Sequence, residues 1–315
     1  MLLVCGEALL DVFAAGDTTT GMALEARVGG SPFNLAVGLA RLGQPTAFFS
    51  AVSTGFMGER LMRMLADEGV NTAAVRRTDD ATTLSVVGLD AAGVPSYAFY
   101  GERGADRQLP LAALANVPGG VGNFSAIHVG SYATVVEPIA TTLRALVERE
   151  HALGTSGALI ACDPNIRLNV EPDLQRWRDQ LAWMLPRTHL LKISDEDLSL
   201  LQPGVAPDAF ARSALAQGVK AVVVTRGADG ALAWTAQAQA STPPVAVTVI
   251  DTVGAGDTFQ AALLTWLAEH GALTAEALGA LTAAQLQSAL AFAARAAAIT
   301  CSRRGADMPR RSELP

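Results

Sequence analysis

Residues 251–260, DTVGAGDTFQ, decide how the rest of the chain is interpreted, because they join two kinds of apolar segment. The alternating segment VAVTVI (245–250) predicts a strand, and the continuous segment TFQAALLTWLAEHG (258–271) predicts a helix. In a parallel α/β sheet, ligands bind where a strand ends and a helix begins. This junction is therefore the first candidate for a binding site.

The small residues at the junction predict an anion-binding site. Gly254, Ala255 and Gly256 allow backbone N–H groups to approach a ligand closely, and the start of a helix adds positive potential. The carboxylate of Asp257 would repel an anion there unless it has a chemical task, such as accepting a proton from an attacking hydroxyl. For the motif taken alone, capping of the helix by Asp257 is the simpler interpretation.

Outward from this junction, strand-like and helix-like stretches alternate along the chain. Strands are predicted at 2–6, 46–53, 126–131, 157–163, 188–194 and 220–227. Helices are predicted at 31–43, 57–69, 136–153, 173–185 and 207–217, and over most of 251–300. The first helix has Ser31 as its cap, Pro32 in its first turn and Gly43 at its end. Apolar strands that alternate with helices predict a mostly parallel sheet covered on both faces.

Two stretches break this alternation. Residues 10–29 and 82–101 predict β-strands with no helix between them, the second with a hairpin turn around Ala91, Ala92 and Gly93. Such strands would form a small sheet that projects over one edge of the main sheet. We expect the rest of residues 1–315 to form a single domain into which these strands are inserted.

Composition excludes several classes of protein. The net charge of −7 argues against nucleic acid as the main partner, and no apolar run approaches the roughly 20 residues of a membrane span. The start of the chain carries Glu7 and Asp11 and predicts a buried strand, not a signal peptide. Cys5, Cys162 and Cys301 lack metal-site spacing, so free thiols and a cytoplasmic location are expected.

Other well-known ligand motifs are absent. The third glycine of a dinucleotide fingerprint is replaced by Phe259, which disfavours a dinucleotide oxidoreductase. Neither Lys192 nor Lys220 lies in a phosphate-binding P-loop, and no Gly-x-Ser-x-Gly elbow occurs. The four histidines have no zinc spacing, and His128 at a strand end is interpreted as a packing residue.

Taken together, three segments resemble the signatures of the ribokinase-like (phosphofructokinase B type) carbohydrate kinases. They are GGSPFNLAVGLARLG (29–43), VSTGFMGERL (52–61) and DTVGAGDTF (251–259), and the resemblance runs from Gly6 to about Gly305. Four further landmarks are most similar to bacterial fructokinases: GEALLD (6–11), DPNIR (163–167), LKISDEDL (191–198) and VTRGADG (224–230). The resemblance implies a three-layer α/β/α sandwich with a small β-sheet lid. It also implies transfer of the γ-phosphate of ATP, with Mg²⁺, to the 6-hydroxyl of fructose.

The resemblance also implies roles for individual residues. Asp257 corresponds to the catalytic base, and the anion hole corresponds to Gly254, Ala255 and Gly256. Sugar contacts are implied for Asp11, Gly30, Asn34, Arg103 and Arg167. Nucleotide contacts are implied for Lys192, Thr225 and Gly227. Asp197 would organise Mg²⁺ through water, and Asp251 and Val253, with the loop 300–305, correspond to the site where many members hold a monovalent cation such as K⁺.

The sequence departs from the family pattern at two places, and alternatives stay open. The metal-linked Asn-x-x-Glu reads Ser194-Asp195-Glu196-Asp197, and Gly101 follows Phe99-Tyr100 where fructokinases commonly carry arginine, so the nearest arginine is Arg103. A 2-keto-3-deoxygluconate kinase remains possible because arginines could bind a substrate carboxylate. A non-catalytic sugar-binding protein on the same fold is the other alternative, against which the intact GAGD motif counts. A homodimer through the lid is also expected.

Overall fold

The computed structural model describes residues 1–89, 95–117, 120 and 122–314, and its main element is an eight-stranded sheet. The strand order is β14-β13-β12-β11-β10-β9-β1-β4. The first six strands from the β4 side pair in parallel, and β13 and β14 add an antiparallel edge. The predicted hairpin turn at Ala91, Ala92 and Gly93 lies outside the described residues.

The strands of this sheet are β1 (Leu2–Cys5), β4 (Thr46–Phe49), β9 (Ala126–Gly130), β10 (Leu159–Asp163), β11 (Leu190–Ser194), β12 (Ala221–Thr225), β13 (Ala231–Thr235) and β14 (Gln239–Thr242). The other strands are β2 (Leu9–Thr18), β3 (Gly21–Gly29), β5 (Ala51–Ser53), β6 (Arg76–Thr78), β7 (Thr83–Leu89) and β8 (Pro95–Tyr100). The α-helices are α1 (Ser31–Arg41), α2 (Phe56–Asp67), α3 (Ile139–Ala152), α4 (Leu174–Met184), α5 (Asp195–Leu201), α6 (Pro207–Ala216), α7 (Ala255–Glu269), α8 (Ala275–Gly279) and α9 (Ala283–Cys301).

Two apolar cores lie on opposite faces of the large sheet. One contains Phe33 of α1 and residues from α7 and α9, and the other contains Leu143 of α3, Trp177 of α4 and Phe210 of α6. Because the parallel strands are apolar along their whole length, each face needs a layer of helices to exclude water. The predicted three-layer α/β/α arrangement is therefore the one observed.

The small sheet has the strand order β3-β2-β7-β8 and lies where residues 10–29 and 82–101 predicted strands. Along β2 and β7, alternate side chains point to opposite faces. Asp11 pairs in register with Ser85, and Ser85 with Phe99, so these side chains share one face. That face lines a cavity at the carboxyl edge of the large sheet.

The strand predicted at 245–250 is wrong. Residues 243–249 form an irregular segment, and Val249 and Ile250 are each 59% exposed. Pro243 and Pro244, which have no N–H to donate, lead into this segment. At its end, Ile250 and Asp251 donate backbone hydrogen bonds to the carbonyl of Cys301, so α9 and not a strand positions the GAGD motif.

Two smaller features also differ from expectation. The single strand predicted at 46–53 is divided into β4 and β5, and β5 pairs with β6 in a separate two-stranded sheet. The three cysteines are unpaired, as expected. No helix within the described residues combines the length and the apolar character needed to cross a bilayer.

Candidate active site

A cavity of about 540 Å³ lies between the carboxyl edge of the large sheet and the inner face of the small sheet. The small sheet contributes Leu9, Asp11, Phe13, Ser85, Val87 and Phe99. Strand ends and helix starts contribute the polar groups on the opposite wall, among them Glu7, Asn34, Asp163, Arg167, Lys192 and Asp257. The cavity is large enough for a small polar molecule.

Asp257 is held by the start of a different helix. The hydroxyl of Ser31 donates to Asp257 Oδ1 at 2.7 Å, and the amide of Asn34 donates to Asp257 Oδ2 at 2.9 Å. The helix α7 begins at Ala255 after Gly254, without a side-chain cap. Asp257 therefore does not cap α7. Ser31, predicted as the cap of α1, is not a cap either, because α1 begins at Ser31 and Gly30 is the residue before it. The hydroxyl of Ser31 instead orients the carboxylate of Asp257.

The environment of Asp257 suits a base. Burial raises its pKa above the usual value of an aspartate, and the bonds from Ser31 and Asn34, then the charges of Arg167 and Lys192, partly oppose this rise. A carboxylate with a raised pKa accepts a proton more readily, provided that it stays ionised near neutral pH. Its two donors also fix the direction in which its remaining lone pairs point.

The GAGD turn is shaped for close approach of a ligand. Gly254 has φ of 77°, and a Cβ on it would lie 2.5 Å from the Cβ of Ala306. The N–H groups in the first turn of a helix have no intrahelical acceptor and attract anions. Of these, the N–H of Ala255 donates to the carbonyl of Thr252 at 3.2 Å. Gly254 and Gly256 line the cavity directly.

A buried ion pair stands beside this turn. The ammonium of Lys192 donates to Asp163 Oδ2 at 2.7 Å, and both side chains are almost fully buried. A Cβ built on Gly256 would lie 3.3 Å from Lys192 Nζ, so the ammonium borders the predicted anion hole. Asp163 Oδ1 has no hydrogen-bond partner among the described residues. Lys192 and Asp163 therefore present both a positive charge and a free carboxylate oxygen to the cavity.

The predicted sugar contacts Asp11, Gly30 and Arg167 also line the cavity. Burial raises the pKa of Asp11, an effect that the neighbouring Ser85 and the charge of Arg167 partly oppose. Gly30 has φ of 102°, and a Cβ there would lie 2.9 Å from the carbonyl oxygen of Glu7. Only a glycine therefore fits at this point without moving the chain.

Other predicted site residues lie outside the cavity. Arg103 is exposed, and Thr225 and Gly227 lie at the end of β12, beyond the cavity wall. Asp251 accepts backbone hydrogen bonds from Val253 at 3.0 Å and Gly305 at 2.8 Å, so the structure joins the two segments assigned to a monovalent cation. Val253 itself does line the cavity.

Asp197 is buried behind the cavity wall. Burial, and after it the charge of Asp163, raises its pKa to about 6. In the described part of the chain, no three His, Cys, Asp or Glu side chains are grouped to hold a metal by themselves. Two neighbouring carboxylates, one with a free oxygen, fit a Mg²⁺ ion that keeps several waters and takes its other ligands from phosphates.

Sequence reasoning missed several residues of the cavity wall: Glu7, Ser31, Ser85, Ser131, Tyr132, Asp163 and Asn165. Three of them, Glu7, Asp163 and Asn165, belong to segments that the sequence singles out, GEALLD and DPNIR. The signal was therefore present, because a polar residue that directly follows or ends an apolar parallel strand lies at the ligand-binding edge.

A sequence profile of the family described as pfkB family carbohydrate kinase matches residues 1–312. The chain belongs to this family. Among pfkB-family relatives, a fructokinase from Rhizobium leguminosarum bv. trifolii is 36% identical over 274 residues, 87% of this chain and 82% of that protein.

Solved structures of pfkB-type proteins agree with the fold. A fructokinase with bound ATP from Xylella fastidiosa has a TM-score of 0.87 and 30% identity, with coverage of 99% of this chain and 96% of that one. A fructokinase from Vibrio cholerae O395, in a form with fructose, ADP and calcium bound, has a TM-score of 0.79 and 26% identity, with coverage of 97% and 94%. The ribokinase-like fold predicted from the sequence is confirmed.

Proposed function

We propose that this pfkB-family chain is an ATP-dependent fructokinase that transfers the γ-phosphate to the 6-hydroxyl of fructose. The observation that carries the proposal is the placement of Asp257. Asp257 lies at the start of α7, directly beside the small residues of the GAGD turn, and its carboxylate accepts hydrogen bonds from Ser31 and Asn34 of α1. The likeness to fructokinases along most of the chain supports the choice of sugar.

In this proposal, Asp257 orients the acceptor hydroxyl and takes its proton as the phosphoryl group is transferred. The raised pKa of Asp257 favours this step, because the carboxylate is a stronger base than a solvated aspartate. Ser31 and Asn34 keep the oxygens in place. Asp11, Gly30 and Asn34 contact the sugar, and Arg167 lies where it can approach either the sugar or a phosphate.

The charge that develops on the phosphoryl group is met by the GAGD turn and Lys192. Gly254, Ala255 and Gly256 supply the backbone environment of an anion hole, and the ammonium of Lys192 adds a buried positive charge beside Gly256. Thr225 and Gly227 border the rest of the nucleotide. Asp163 holds the ammonium of Lys192 in position through their ion pair.

The cation sites are part of the same proposal. Asp197 would hold Mg²⁺ through water, and the ion would supply positive charge to neutralise the phosphates. The free oxygen of Asp163 supports an acidic site at that position. A monovalent cation such as K⁺ would lie near Asp251 and Val253, where the segment before α7 is bonded to the loop after α9.

We infer that the small sheet acts as a lid within a single domain. Alternate side chains of β2, β7 and β8 face the cavity, so closure would exclude water that could otherwise attack ATP. Exposed Met22, Leu24 and Tyr100 on the same sheet support a homodimer through the lid, which light scattering at micromolar concentration would test. Unpaired cysteines support a cytoplasmic location.

A coupled assay of ADP release tests the function across ketoses, aldoses, keto-deoxy acids and nucleosides. We expect kcat/KM for fructose to exceed that for 2-keto-3-deoxygluconate by at least about tenfold. Asp11→Ala should strongly reduce kcat/KM for fructose, because a sugar hydroxyl is then left without its hydrogen-bonding partner. No turnover of any sugar would favour the non-catalytic binding protein.

The keto-deoxy acid kinase remains the second candidate because of one observation. Arg167 lines the cavity and is exposed there, so its guanidinium could bind a substrate carboxylate. Arg167→Gln separates the two candidates. If the substrate is a neutral ketose, the substitution should mainly weaken contacts to the phosphates of the nucleotide. If the substrate is a sugar acid, the substitution should mainly raise the KM for that acid. A higher kcat/KM for the keto-deoxy acid would reject fructokinase and keep the kinase.

A further inference from the structure

Glu7 is a buried carboxyl group that faces the cavity without a complete set of partners. It follows Gly6 at the carboxyl end of β1, is 1% exposed and lines the cavity wall. Its Oε2 atom has no hydrogen-bond partner in the described residues. Burying an unpaired polar atom is unfavourable, so its presence in a ligand cavity points to a partner that the ligand supplies.

Ser131 is a second polar residue at the same place, next to Glu7. It follows β9, lines the same cavity, and its buried hydroxyl also has no partner within the described ranges. Its backbone has φ of 53°, which is unfavourable for a residue with a side chain. In the described part of the chain only Asn165 shares this feature, and Asn165 lines the cavity too. Strain of this kind concentrates at functional sites.

A second buried glutamate shows what a purely structural role looks like in this protein. Glu150 is also 1% exposed, but its Oε1 accepts from the N–H of Gly122 at 2.8 Å and its Oε2 from the N–H of Ala158 at 2.9 Å. It does not line the cavity. The two glutamates are equally buried, but both oxygens of Glu150 accept hydrogen bonds, whereas one oxygen of Glu7 has no partner among the described residues. Glu150 therefore stabilises the fold, and Glu7 faces a ligand.

The chemistry of the Glu7 site favours a neutral hydroxyl. Burial raises the pKa of Glu7 to about 8, with Asp106 adding to the rise and Ser131 and Arg167 opposing it. At neutral pH the protonated carboxyl both donates and accepts a hydrogen bond, which is what a hydroxyl group requires. The protonated form of Glu7 therefore suits a substrate group that can itself both donate and accept.

We propose that Glu7, together with Ser131, binds a hydroxyl group of the sugar and so selects sugars that carry this hydroxyl. This inference rests on the proposed sugar-kinase function and adds a specificity-determining residue to it. Glu7 contacts the substrate but takes no part in proton transfer at the reacting hydroxyl, which is the task of Asp257.

Calorimetric titration of fructose into the enzyme without nucleotide tests the inference directly. Glu7→Ala should weaken the Kd for fructose by about 10- to 100-fold, whereas Glu7→Gln, which keeps a donor and an acceptor, should stay within about threefold of wild type. The Kd for ATP should not change in either variant. Equal fructose affinity in wild type and Glu7→Ala would overturn the inference.

A series of fructose analogues that each lack one hydroxyl identifies the contact. One analogue should bind more weakly than fructose to wild type but equally well as fructose to Glu7→Ala, because the missing hydroxyl and the missing carboxyl belong to the same bond. If every analogue loses the same factor in both proteins, no sugar hydroxyl contacts Glu7 and the inference is wrong.

Two further variants keep the test independent of folding. Ser131→Gly removes the hydroxyl and suits the positive φ, so it should weaken fructose binding without lowering Tm. Glu150→Gln should lower Tm and leave the Kd for fructose unchanged. A Glu7→Ala or Ser131→Gly protein with lower Tm and unchanged Kd would show a structural role instead. Wild type that binds no sugar at all would overturn both the function and this inference, whereas sugar binding that ignores Glu7 overturns the inference alone.

Discussion

Buried carboxyl groups at the two edges of the large sheet differ in whether both of their oxygens have hydrogen-bond partners. At the amino-terminal edge, Glu150 bonds to the backbone of Gly122 and of Ala158, just before β10 begins. At the carboxyl edge, Glu7 and Asp163 each keep one oxygen without a partner among the residues that the structure describes, and both line the cavity. Polar groups at the amino-terminal edge stabilise the fold, whereas those at the carboxyl edge are available to a ligand. Parallel topology explains the difference, because helix starts with their free N–H groups gather at the carboxyl edge.

The largest effect on activity should come from Asp257, the carboxylate of the carboxyl edge that two side chains hold in place. Asp257→Asn should keep the fold and nucleotide binding but reduce kcat by about 10²- to 10⁴-fold, the range typical of loss of a general base. Steady-state kinetics on the purified, folded variant measures this. Asp208→Asn is a matched control, since Asp208 also lies in the first turn of a helix, α6, but its side chain is half exposed and outside the cavity. Wild-type turnover in Asp257→Asn would remove the base assignment.

The ion pair at the same edge offers the next test. Lys192→Met leaves the Asp163 carboxylate buried without its cation, so we expect the free energy of unfolding to fall by about 3 to 5 kcal/mol, along with a loss of kcat. Denaturant unfolding gives the first quantity. Lys220→Met, the same substitution at an exposed lysine, should be almost neutral. A stable Lys192→Met protein would mean that the site tolerates an unpaired Asp163.

The contrast between Glu7 and Glu150 predicts a pH dependence. The ordinary pKa of Glu7, 4.5, rises to about 8 in the folded protein, so between these values the folded state keeps a proton that the unfolded chain has lost. Glu7 therefore reduces stability as pH rises through this window. Relative to wild type, Glu7→Gln should gain stability from pH 5 to pH 8, on the order of 3 to 4 kcal/mol.

Unfolding curves at several pH values measure this gain, with Glu150→Gln as the comparison. Glu150→Gln should lower stability by about 1 to 3 kcal/mol, because an acceptor oxygen is replaced by an NH₂ group facing a backbone N–H. If Glu7→Gln were destabilising at pH 8, the two edges would not differ in the way described.

The smallest effect concerns a hydroxyl that supports Asp257. Ser31 lowers the pKa of Asp257, so Ser31→Ala should move the acid limb of the kcat/KM profile to higher pH and reduce the rate near neutral pH by several-fold. Ser199→Ala removes a hydroxyl that bonds only to the carbonyl of Asp195 at an exposed position and should have no effect. An unchanged pH profile in Ser31→Ala would show that Asn34 alone orients the carboxylate.

Features that depend on a local pattern of residues are predicted correctly from the sequence. Alternating apolar strands and helices predict the layered α/β arrangement, Gly43 marks the end of α1, and the small residues 254–256 mark a close-approach turn before α7. These predictions succeed because propensity, capping and periodicity act over a few residues. The strand predicted at 245–250 fails for the same reason: alternation describes side chains, but a strand also needs a neighbouring strand, and Pro243-Pro244 leads the chain beyond the edge of the sheet.

Which polar groups have hydrogen-bond partners depends instead on how the whole chain folds. The sequence predicts Ser31 as a helix cap, yet its hydroxyl donates to Asp257, 226 residues further along the chain. Glu7 and Glu150 are the same residue type with the same exposure, and their difference arises from which backbone N–H groups the fold brings beside them. Hydrogen bonds are short and directional, so their partners depend on the path of the whole chain and not on neighbouring residues in the sequence.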